Sequence, residues 1–161
     1  MAREPATHTQ MVFMELVQEH LEEVLSVARW LAPSGGEATR LAEEALRRGY
    51  REVRDASPPA DFRTWIVGLV AAEYAGNGNG SSPTPEAPED ELPLAMWTLP
   101  AWQRVPIVLS DVAGFSYEQI ARAVGIPIGA VRARIHDARV RLLGVLGAGA
   151  MGPVGESALA S

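Results

Sequence analysis

The chain has no cysteine and no lysine among its 161 residues. Without cysteine there is no disulfide framework and no thiolate metal site, which fits a reducing, cytoplasmic location. No apolar run reaches the length of a membrane-spanning helix, and the N-terminus lacks the basic-then-apolar pattern of a secretory signal, so no membrane partner is expected. His8, His20 and His136 stand at no metal-ligand spacing to one another or to acids. The stretch GNGNG is followed by no Lys-Ser or Lys-Thr pair and preceded by no strand, so it is not a phosphate loop. Glu22-Glu23, Glu43-Glu44 and Glu89-Asp90-Glu91 read as solvated faces or linker charge. No Gly-rich nucleophile turn is present. No enzyme activity, metal or cofactor is expected.

Every basic residue is an arginine, 14 in all against 20 acids, for a net charge of −6. The charge is uneven. Residues 1–75 carry 8 Arg and 12 acids, residues 76–98 carry 4 acids and no Arg, and residues 99–161 carry 6 Arg and 4 acids. An acidic chain with one locally basic end is no general polyanion binder. Any nucleic-acid contact belongs to the C-terminal half.

No segment shows the period-two alternation of a strand, so the fold class is all-α. Residues 1–10 read as a frayed lead-in. Phe13, Leu16, Val17, Leu21, Val24, Leu25 and Ala28 then recur at steps of three and four. Pro33-Ser34-Gly35-Gly36 ends that helix. A second helix follows from about Glu37 to Arg54, on Leu41, Ala45, Leu46 and Tyr50. A third, capped by Asp61, runs from Phe62 to about Tyr74 on Trp65, Ile66, Leu69 and Val70. Residues 11–75 thus form one helical bundle. Residues 76–91, rich in Gly, Asn, Ser, Pro and acid, read as a flexible linker. Trp30, Trp65, Trp97 and Trp102 occupy apolar positions and are expected in the core.

Residues 92–146 form the second helical domain, and 147–161 a mobile tail. Pro106 falls inside the helix opened by Pro100, which is expected to break or to start late. Ser116 and Gln119 stand three apart, as in a capping box. Gly125-Ile126-Pro127 then makes a turn before Val131, Ile135, Ala138, Leu142 and Leu146 recur at helical spacing. A short helix, a tight turn and a longer basic helix make a helix-turn-helix, with an ordinary αα-hairpin in a helical core as the alternative. With Val131 inward, Arg132, His136 and Arg139 lie on one flank, and Arg134 and Arg141 on the other. Gly129, Ala133 and Val140 point outward, near Asp137. Flanking arginines suit phosphate contacts, and small outward residues suit entry into a major groove. A plain solvated basic face is the alternative.

The wording LPAWQRVPIVLSDVAGFSYEQIARAVGIPIGAVRARIHDARVRLL resembles domain four of extracytoplasmic-function (ECF) sigma factors, whose helix-turn-helix reads the minus-35 promoter element. More loosely, FMELVQEHLEEVLSVARWL, ATRLAEEALRRGY and DFRTWIVGLVAAEYA resemble domain two, which grips the clamp helices of the RNA polymerase β′ subunit and melts the minus-10 element. The resemblance implies a DNA-facing set of Ser116, Tyr117, Gly129, Ala130, Arg132, Ala133, Arg134, His136 and Arg139. It implies a polymerase- or partner-binding set of Arg40, Glu43, Glu44 and Arg47. Departures stand beside the matches. Arg40 replaces a family acid, Glu43 replaces a Gln, and the third helix offers Gly68, Ala71, Ala72 and Glu73 where the family carries Arg and Asn. Asp137 and Val140 stand where the family tends to carry Arg. Two functions stay open. One is a sigma-factor-like regulator that binds core polymerase and double-stranded promoter DNA, with weakened melting. The other is a sigma-like module that holds an anti-sigma factor or other regulator. In both, the small, cation-free face of the third helix suits a helical protein partner.

Overall fold

The computed structural model describes residues 4–76 and 95–159. Among the described residues the principal α-helices run in the order α1 (Glu4–Leu31), α2 (Gly35–Val53), α3 (Phe62–Gly76), α4 (Ala101–Ile107), α5 (Tyr117–Val124) and α6 (Ile128–Leu159). Among the described residues there is no strand. The linker lies outside the described residues apart from Gly76.

The first three helices form a bundle because each carries one apolar stripe. In α2 the stripe is Ala38, Leu41, Ala42, Ala45, Gly49 and Val53, with Ser34 capping the helix by accepting from the Glu37 N–H at 3.2 Å. Gly49 is needed where α2 meets α3, since a Cβ there would stand 3.0 Å from Cδ1 of Ile66. Aromatic rings tie the three helices together: Phe13 of α1 lies 5.6 Å from Tyr50 of α2 and 5.9 Å, edge-on, from Phe62 of α3. Helix α1 begins at Glu4, inside the stretch read from sequence as frayed.

The helix around Pro106 does not start late, but its α-helical pattern breaks one residue past the proline. It opens directly after Pro100 and passes through Pro106, which cannot donate to the carbonyl four residues back. The chain then widens into a π-helical turn over Val108–Val112, closed by Ala113 N–H to the Val108 carbonyl at 3.1 Å. The last helix, expected to fade near Leu146, continues to Leu159.

The two helical units are packed on each other. Helix α3 lies against α5, and the π-helical turn lies against α1. The buried apolar side chains of both units form one contiguous cluster, from Phe13 and Val24 through Ile66 and Val70 to Ile120, Ile135 and Leu142.

Candidate nucleic-acid interface

The helix-turn-helix is α5, a tight turn and α6. At its start the Ser116 side chain accepts from the Gln119 N–H (3.1 Å), and the Gln119 side chain accepts from the Ser116 N–H (2.9 Å). At its turn Gly125 adopts φ 73°, ψ 36°, a left-handed conformation that favours glycine. Its N–H and that of Ile126 both donate to the Ala121 carbonyl, at 2.9 and 3.2 Å. Ile120, Val131, Ile135, Ala138 and Leu142 are buried, so the core face is the one read from the spacing.

The DNA-facing set is only partly brought together. Gly129, Arg132, Ala133 and His136 are exposed on neighbouring turns of α6, with Ala130 half-buried beside them. Ser116 is exposed and Tyr117 half-buried at the start of α5. Arg139 is exposed but occupied: it donates to Asp111 of the π-helical turn at 2.8 Å, and that bond holds its guanidinium above the ordinary value. Arg134 turns away from the outer face. It is half-buried, with its guanidinium 5.8 Å from the ring centroid of Trp102. Trp102, expected in the core, is 51% exposed.

Arg40, Glu43 and Arg47 are exposed together on α2, with Glu44 half-buried and Glu43 paired to Arg47 at 3.4 Å. Glu44 and Arg47 line a cleft of about 730 Å³ between α1 and α2, together with Phe13, Met14 and Tyr50. Met11 and Met14 stand exposed on α1. Sequence reasoning did not select them; two methionines off an amphipathic stripe were the available signal.

The face of α3 thought to suit a helical partner is taken by this chain's own α5. A Cβ on Gly68 would stand 3.1 Å from Cβ of Ala123, Ala71 is buried, and Glu73 pairs with Arg48 of α2 at 3.1 Å. Around this contact the units are joined by polar bonds. Arg63 of α3 donates from Nε to Glu23 of α1 (2.9 Å) and also to the Ala113 carbonyl, and it stacks over Phe115 at 4.7 Å. Gln119 donates to the Thr64 hydroxyl at 3.1 Å. Arg104 donates to the Tyr74 hydroxyl at 2.6 Å. The docking uses the first helix of the helix-turn-helix and leaves the outer face of α6 in solvent. Among the described residues no group of His, Asp or Glu could hold a metal ion, and no helix is long and apolar enough to cross a membrane.

Residues 89–142 match the family model for region 4 of sigma-70. The chain is similar to the ECF RNA polymerase sigma factor SigE of Mycolicibacterium smegmatis, at 28% identity over 80% of this chain, and it spans 59% of that relative's length. It is also similar to the ECF RNA polymerase sigma-E factor of Escherichia coli, at 27% identity over 81% of this chain and 84% of the relative. The sigma factor RpoE of Bartonella quintana, solved in complex with the anti-sigma factor NepR, shares the fold with a TM-score of 0.73 at 21% identity, over 84% of this chain and 96% of that one. The similarity to ECF sigma factors thus runs along most of the chain, and the match to the region 4 model lies in its second half.

Proposed function

We propose, for a chain similar along its length to ECF sigma factors, that it is a sigma-factor-like transcription regulator acting in the cytoplasm with weakened promoter melting. In this reading α6 enters the major groove, with Arg132 and His136 on its exposed flank and Ser116 and Tyr117 near the backbone. The α2 face of Arg40, Glu43, Glu44 and Arg47 meets the β′ clamp helices of core RNA polymerase. The observation that carries weakened melting is the state of α3. The face of Gly68, Ala71, Ala72 and Glu73 holds no cation, and Gly68 packs directly on Ala123 of α5. Strand capture needs positive charge to gain counterion release, and this face supplies none.

The same covered helix favours a second reading, a sigma-like module that holds an anti-sigma-type protein and does not initiate transcription. The α1–α2 cleft, lined by Met14, with Met11 exposed on the same helix, suits such a partner.

One experiment separates the readings. Purified protein is mixed with core polymerase and a set of promoter fragments, and duplex opening is followed by permanganate reactivity of thymines. A stable polymerase complex that binds duplex DNA but opens it poorly supports the first reading. Absence of any complex with core polymerase removes it and leaves the second.

A further inference from the structure

Arg134 and Trp102 mark the mouth of a second cleft, of about 610 Å³, where α3 meets α4, α5 and α6. Its walls are mostly aliphatic, with the ring of Tyr74 among them. Ala71, Ala72 and Ala75 come from α3, Val105 and Pro106 from α4, and Val124 from α5. Arg134 is the single charged residue on the lining, and no carboxylate among the described residues pairs with it. The volume lies in the range of small-molecule sites, which are mostly apolar with a few polar groups that fix orientation. One cation over an aliphatic trough selects a ligand with one anionic head and an apolar body. A phosphate would ask for more donors than this mouth offers.

We propose that this cleft binds a medium-chain acyl carboxylate, with the acyl chain along the alanine wall of α3 and the carboxylate on Arg134. Trp102 then loses its exposure to solvent under the ligand. The ligand touches both helical units, so occupancy stabilises their packed arrangement by mass action. The site is separate from the α2 surface and from the outer face of α6, and it does not depend on the promoter reading.

Octanoate is titrated into the full-length protein, and the indole N–H signal of Trp102 is followed by NMR, assigned through Trp102→Phe. The expected result is a saturable shift of that signal and a Tm that rises with octanoate. Arg134→Gln should weaken octanoate binding by about tenfold or more, the loss of one charge-assisted contact, and leave octanamide binding unchanged. Ala72→Leu fills the trough and should abolish binding. Should it fail to fold by circular dichroism, Ala101→Leu fills the same cleft from α4. The proposal is overturned by an absence of saturable shift, by equal affinity for octanoate and octanamide, or by binding that survives the filled cleft. Occupation by an acidic helical peptide, with octanoate unable to compete, overturns it as well.

Discussion

Arg104 is 1% exposed and pairs with no acid among the described residues, yet all three of its guanidinium nitrogens are hydrogen-bonded. It bonds the Tyr74 hydroxyl (2.6 Å) and the carbonyls of Met96 (3.1 Å) and Leu99 (2.6 Å), and it stacks 4.1 Å over the Trp97 ring. Burial lowers its pKa, and the Tyr74 contact opposes that shift. Arg104→Met removes the donor from buried carbonyls, at a cost of about 3 kcal/mol, and thermal melts should show a Tm lower by on the order of 10 °C. Tyr74 is raised by burial. Its neutral form is the folded one, so stability should fall as pH climbs from about 10 through the raised value. A second residue-scale prediction concerns Asp111. Because it occupies Arg139, Asp111→Asn should free that arginine for phosphate. DNA affinity should rise, and the log–log salt slope should steepen by about one unit. An unchanged slope in gel-shift titrations would remove Arg139 from the interface.

Among the elements, α3 and α5 have their N-termini wired together. Asp61 accepts from the Thr64 N–H at 3.1 Å, and the Thr64 hydroxyl and N–H together hold its carboxyl below the usual range. Thr64 in turn accepts from Gln119, which completes the capping box of α5 with Ser116. Asp61→Ala should therefore cost about 1 kcal/mol of stability at neutral pH. For a depressed carboxyl the contribution is present above about pH 4 and lost as pH falls through the lower folded value. The gap between wild type and variant should close in acid denaturation curves. Both caps were legible in sequence, as were the turn at Gly125 and the α6 core face, because each is a local pattern of spacing and residue type. The π-helical turn after Pro106 was not, since a missing N–H forbids one bond without naming its replacement. Nor was the inward turn of Arg134, which lies one helical position from exposed Ala133 and is decided by Trp102 on another helix.

For the whole molecule, the governing fact is that α3 is buried against both units. From sequence its small, cation-free face read as a surface awaiting a partner. The covering helix lies 55 residues further on, and Gly68 against Ala123 has no local signature. Gly68→Leu places a side chain where even a Cβ would press on Ala123 at 3.1 Å. The packed form should yield, with a larger radius of gyration in small-angle scattering and faster amide exchange in α5, while helix content stays near wild type. An unchanged radius would mean that the core absorbs the insertion.

The Arg104–Tyr74 bond joins the end of α3 to the first helix after residues 77–94. Any change in the length of that segment alters only the entropy of closing a loop whose ends are already held. Doubling it should cost about 0.6 kcal/mol. Covalent connection therefore sets a local concentration of one unit around the other, on the order of millimolar. Contacts too weak to join two separate fragments at micromolar concentration are enough to keep the tethered pair together. A competitor for the same faces has that concentration to overcome, and a single cut in the segment would remove it.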